Sequence, residues 1–213
     1  MVVHLHVKAI PPRQPSRADR GSTMIELALI LSVALPLLLG VTGVGMRLGW
    51  TLSGTQLTRD VAHMYAEGED FNQAGLVSIA QKLSTDFSLT NTGTAVLILS
   101  KITQVYQADC TAASLKTCPN LNEPVFAQRI YLGNTKLRAS NYGTPDAWIK
   151  NGVINSSDYL VQNALIANGF SSVMTLADGQ FAYLTEGYFS MPQLDLLDPT
   201  NNQQGGYYVR FVF

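Results

Sequence analysis

Charge is scarce in this chain. Only 14% of its 213 residues are Asp, Glu, Lys or Arg, against roughly 25% in soluble globular proteins. The 14 basic residues are balanced by 15 acidic ones, so nothing attracts a polyanion and nucleic acid is not an expected partner. Histidine is rarer still. His4 and His6 fall in a basic N-terminal segment, which leaves His63 alone in the rest of the chain and excludes a His-based metal cluster. A Ser-His-Asp or Cys-His site would have to use His63, on a helix close to the apolar segment described below. Also missing are a Gly-x-Gly-x-x-Gly after a strand, a Walker loop and a Cys-x-x-Cys pair. No catalytic residue, metal or cofactor is therefore expected, and the chain reads as a non-enzyme. Asp195 and Asp198 could form a carboxylate pair or supply calcium ligands, but turn formation before Pro199 is the plainer reading.

What charge there is lies unevenly. Lys8, Arg13, Arg17 and Arg20 precede an apolar run with one acid, Asp19, among them, and Leu27 to Met46 then carries no charge. As a helix rising about 1.5 Å per residue this run reaches about 30 Å, the thickness of a bilayer's hydrocarbon core. The basic flank places the N-terminus in the cytoplasm and the remainder outside. Three parts follow: residues 1–21, basic with Pro11, Pro12 and Pro15, as an irregular leader; 22–67 as a transmembrane and extended N-terminal helix; and 68–213 as an exported domain.

Helical spacing continues past the apolar run through Leu57, Val61, Met64 and Tyr65, and Gly68 supplies a stop. Asp70 is placed to cap a second helix carrying Leu76, Ile79, Ala80, Leu83 and Phe87. From Thr94 the character turns to β. Val96 to Leu99 begin a strand that passes into polar positions, so burial is expected at one end only. A second strand, Val125 to Leu132, sets Phe126, Ile130 and Leu132 on one face, and Phe181 to Phe189 and Tyr207 to Phe213 supply two more. Asp158 to Ala167 reads as a short helix capped by Ser157 and ended by Gly169. The expected fold class is α+β, a long N-terminal helix packed on a small, mainly antiparallel sheet.

Cys110 and Cys118 sit in a polar, turn-rich stretch where neither is expected to lie in a core. Outside the cytoplasm a disulfide is the expectation, the other reading being a pair of free surface thiols.

The most informative residues stand at the border of the apolar run: Arg20-Gly21-Ser22-Thr23-Met24-Ile25-Glu26-Leu27. A carboxylate at the mouth of a membrane helix calls for a partner or a function, unless Glu26 only snorkels to the headgroups or favours the helix N-terminus. Gly21, four residues, then Glu26 and a hydrophobic helix resembles the cleavage and assembly signal of type IV prepilins. The Gly-rich exit Gly40-Val41-Thr42-Gly43-Val44-Gly45-Met46-Arg47 narrows the resemblance to TadE-like minor pilins of tight-adherence systems, over roughly residues 20–67.

That resemblance implies cutting after Gly21 by a prepilin peptidase, leaving Ser22 as the new N-terminus and Glu26 as an assembly residue. It implies a minor pilin or pseudopilin in the bacterial inner membrane, with its C-terminal domain periplasmic or on a cell-surface pilus. Its partners would be major and minor pilin subunits, the inner-membrane assembly machinery and the lipid bilayer. Pro36 removes one helical hydrogen bond and Gly40, Gly43 and Gly45 follow it, so a kink or local opening is expected when the helix leaves lipid. Gly45 and Gly49 form a Gly-x-x-x-Gly pair for close helix packing, or are simply glycines of a membrane helix. The other function class is a secreted or membrane-tethered periplasmic binding domain without catalytic activity, its signal peptide cut near Gly43 or Gly45.

Overall fold

The computed structural model describes residues 17–116, 118–191 and 205–213, with side chains from residue 23 onward. It divides at the Met46–Arg47 bond into two compact units. One helix, α1 (Arg17–Ala66), contributes to both. Its start lies upstream of the expected boundary, so residues 17–21 are helical rather than irregular. Once an apolar helix is nucleated, each further residue costs little to add, and Arg17, Ala18 and Arg20 are good helix formers. Residues 1–16 lie outside the described residues.

In the first unit the large apolar side chains from Met24 to Met46 are all exposed. The polar side chains there turn back on the helix: the Ser32 hydroxyl donates to the Leu29 carbonyl at 2.7 Å, and that of Thr42 to Leu38 and Leu39 at 2.9 and 3.0 Å. Neither hydroxyl then presents an unmet donor to an apolar surrounding. The helical span runs through Pro36.

The second unit is built on four strands, β1 (Ala95–Gln104), β2 (Pro124–Gly133), β3 (Phe181–Ser190) and β4 (Gly206–Val212). They form one antiparallel sheet in the order β2-β1-β3-β4. The fold is α+β, as the sequence indicates. Leu57, Val61 and Tyr65 repeat every four residues along α1, with Thr58 and Ala62 beside them, and all five are buried. This face packs over Ala95, Leu97, Leu99, Ile130, Leu132 and Phe189.

Helix α2 (Ala74–Leu83) completes that layer and begins later than expected. The Asp70 carboxylate instead accepts from the Asn72 backbone and side-chain amides at 3.0 and 2.8 Å, closing a local turn upstream of the helix. Phe87 lies beyond the helix, yet its ring is in the core.

Strand β1 is buried nearly throughout, correcting the expected polar end. It is central in the sheet, and the long β2–β3 connection covers its second face with Tyr142, Ile154, Leu165, Phe170 and Leu176. In that connection the expected helix over 158–167 shrinks to α4 (Ser156–Tyr159), preceded by Asn155, and a single turn at Asn163–Leu165. The backbone there bonds to neighbours instead: the Ala167 amide donates to Pro124 at 2.8 Å. Gly169, at φ +73°, precedes another short turn.

The pairing register slips between Lys101 and Ile102, leaving Ala127 as an extra residue in β2. Because side chains alternate with a period of two, one inserted residue exchanges faces. Phe126 therefore packs under the β2–β3 connection while Ile130 and Leu132 face α1, correcting their expected common face.

Candidate anchor and assembly site

Glu26 lies one helical turn beyond Ser22 on α1, exposed, with exposed Ile25 and Leu27 on either side. Gly21 and Ser22 fall within the same helix, and their side chains are outside the described residues. A Cβ added at Gly40, Gly45 or Gly49 would meet nothing within 4 Å. Gly43 is half-buried on the same helix as Pro36.

The glycines that seat the helix on the sheet are two that sequence reasoning passed over, Gly54 and Gly187. A Cβ on Gly54 would run into the Tyr207 side chain and come to 3.1 Å from the Phe189 ring. One on Gly187 would stand 2.9 Å from the Phe189 ring and 3.2 Å from Leu97. Through the first gap the Tyr207 hydroxyl donates to the Trp50 carbonyl at 2.8 Å, and the Thr58 hydroxyl donates to the Gly54 carbonyl at 2.7 Å. Burial pushes the Tyr207 phenol above its ordinary value, against a smaller opposing effect from the Gly54 backbone.

Cys110 and Cys118 form a disulfide with a Cα–Cα distance of 5.8 Å. Both are buried, at 0% and 5% exposure, in a small cluster with Val105, Val125 and Leu160. The expectation that neither would enter a core is corrected. The loop between α3 (Gln107–Ala112) and β2 folds back on the sheet's end, and a disulfide packs there as an apolar group.

On the sheet face away from α1 lies a buried polar network that strand periodicity assigns to solvent. Glu186, 2% exposed, accepts from the Asn141 amide at 3.0 Å, the Tyr208 hydroxyl at 2.9 Å and the Ser140 hydroxyl. Arg129, 1% exposed, donates to the Gly143 carbonyl at 2.8 Å and sits 4.2 Å from the Phe126 ring centroid. Its Nε meets no partner among the described residues. Together they pin residues 140–143 to the sheet.

The exposed His63 ring packs at a tilt against that of Phe213, with centroids 4.7 Å apart. No group of three His, Cys, Asp or Glu stands ready to hold a metal ion among the described residues. Asp195 and Asp198 lie outside them. Comparison with protein-family models, with curated proteins and with solved structures found no match.

Proposed function

We propose that this chain is a membrane-anchored minor pilin or pseudopilin, a structural subunit assisting assembly of a tight-adherence or type IV-like pilus in the bacterial envelope. One helix, described from Thr23 to Ala66, is long and apolar enough to cross a membrane. The observation that carries the finer reading is Glu26, a carboxylate set into the outward surface of that helix five residues after Gly21. A charge there is costly in lipid unless something meets it. In this reading the amine freed on Ser22 of one subunit meets the Glu26 carboxylate of its neighbour, and the bilayer stores the helix until prepilin peptidase and the assembly machinery bring subunits together. Mass measurement of the membrane-extracted protein tests it: removal of residues 1–21 supports the proposal. Retention of the leader in a host with the cognate peptidase overturns it.

A second reading is a secreted binding domain cut near Gly43 or Gly45. The boundary between compact units at Met46–Arg47 favours it, since such a cut would leave the sheet-bearing unit whole. The same mass distinguishes the two, because a mature chain starting beyond Gly43 supports secretion.

A further inference from the structure

The geometry points to a second, sheet-based contact between copies of this chain, in which β4 of one copy adds to the free end of β2 in the next. The inference rests on the folded sheet and on the membrane anchoring proposed above, and stands apart from the pilin reading. Among the described residues both outer strands are incompletely covered. On β2 the Arg129 amide donates outward to Gly152 at 2.8 Å, and by the alternation of an antiparallel ladder Tyr131 and Gly133 also face outward. On β4 the reciprocal Tyr183 and Phe213 bonds, at 2.9 and 3.0 Å, fix the phase, so Tyr208 and Arg210 face away from β3. The outward backbone groups of these four residues have no partner among the described residues.

The two edges match in height and direction. Tyr131, Ile98, Glu186 and Arg210 form one row across the sheet, and Gly133, Val96, Tyr188 and Tyr208 form another. Strand β4 runs antiparallel to β2. A copy shifted sideways in its own orientation therefore brings Arg210 opposite Tyr131 and Tyr208 opposite Gly133, with donors facing acceptors. Beside β2 a groove of about 640 Å³ leaves room for it, between Val77 and Gln81 of α2 and the Ile149–Gly152 turn.

Side-chain chemistry agrees. Tyr131 donates its hydroxyl to the Asp146 carboxylate on the face where the incoming Arg210 would project, so a cation arrives beside an aromatic ring and an anion. The bare backbone of Gly133 faces the incoming Tyr208 ring, a pairing that shields an edge glycine. The sequence of β4 does not itself block edge pairing: it has no proline and one charge, Arg210. The match stops after two rows, where Gly152 already occupies Arg129, so the contact is small and suits copies held close together in one membrane.

Pairing β4 with β4 about a two-fold axis would instead set the Leu57–Tyr65 stretches that lie against the two sheets antiparallel to each other. The sideways repeat keeps those stretches parallel and does not close at a dimer.

Bismaleimide cross-linking tests this with full-length chains in liposomes, using Asp146→Cys and Arg210→Cys. Both positions are exposed, and the native cysteines are already paired. The expected result is a heterodimer when the two variants are mixed, no dimer from either alone, and a ladder beyond dimer from the double variant. Homodimers of Arg210→Cys alone, or no heterodimer, would overturn the proposal. Hydrogen exchange on the unsubstituted chain gives an independent reading: as protein density in the liposome rises, the Tyr131–Gly133 and Tyr208–Arg210 amides should gain protection together. Unchanged exchange at both overturns it equally.

Discussion

The Tyr207 hydroxyl donates to the backbone carbonyl of Trp50 at 2.8 Å through a gap that exists because residue 54 is glycine. The last strand of the sheet thus bonds directly to the backbone of α1. An alanine at 54 would gain about 1 kcal/mol of helix propensity. Its methyl would also occupy the place of the Tyr207 hydroxyl, and overpacking of this kind costs about 1–3 kcal/mol.

Gly54→Ala is therefore expected to destabilise the sheet-bearing unit, and Tyr207→Phe to cost about 1 kcal/mol for the lost hydrogen bond. Because Phe removes the atom nearest the new methyl, the two changes should be less than additive in a double-mutant cycle read by urea unfolding. Additive losses would show that Gly54 and Tyr207 act independently.

The disulfide should contribute about 2–3 kcal/mol, as expected for closing so short a loop. Unfolding midpoints with and without reductant check that figure. Because Cys110 and Cys118 are buried among Val105, Val125 and Leu160, the Ala/Ala variant should be more stable than the Ser/Ser variant, whose hydroxyls would need partners in an apolar cluster. Equal stability of the two variants would mean that the cluster opens when the bond is absent.

Much of the fold is legible in the chain, for physical reasons that also mark where reading stops. The four strands announce themselves through β-branched and aromatic runs between turn residues, and the helix face through Leu57, Val61 and Tyr65. The bulge at Ala127 does not, because alanine carries no mark of an irregular backbone, and so the faces of Phe126 and Ile130 were inseparable by period. Arg129 and Glu186 look like solvent-facing strand positions. They are buried because an aperiodic connection folds over them, which no local pattern reveals. Glu26 and Gly21 are legible because a charge beside a long uncharged run stands out in any sequence, and their roles rest on resemblance.

Alkaline pH should lower the stability of the sheet-bearing unit from about pH 10 upward. Burial raises the Tyr65 phenol above its ordinary value of 10.0, and the neighbouring Tyr183 adds to the shift. A raised folded pKa means that the neutral form is favoured in the folded state. The resulting stability is complete below the unfolded value and is lost as pH rises past it. Tyr65, nearly inaccessible and bonded to Gln128 at 3.2 Å, should contribute a loss of up to about 1.4 kcal/mol per pH unit. Denaturant melts between neutral pH and pH 11 should show the decline, and Tyr65→Phe should flatten it. A flat profile for the unsubstituted protein would contradict the burial argument.

Glu26 should matter for assembly far more than for insertion, cleavage or folding. In the sheet-bearing unit the core and the disulfide are made by residues beyond Arg47, so a change at position 26 leaves them intact. Within the membrane a carboxylate at the helix surface is a liability until a positive group meets it, and cleavage after Gly21 would create one on Ser22. An exposed ion pair contributes about 0–1 kcal/mol. At the edge of a low-dielectric layer the attraction is larger, although desolvation of both charges offsets part of it. Glu26→Gln preserves shape and removes the charge. The variant is expected to insert, to be cut after Gly21 and to form the Cys110–Cys118 disulfide, yet to be depleted from the pilus fraction that retains the unsubstituted chain. Cleavage, by intact mass, and co-purification should be measured in the same cells, so that a processing defect is not mistaken for an assembly defect. If the Gln variant is incorporated as well as the unsubstituted chain, Glu26 is a solvated interface residue and the subunit-to-subunit charge pair is not what drives assembly.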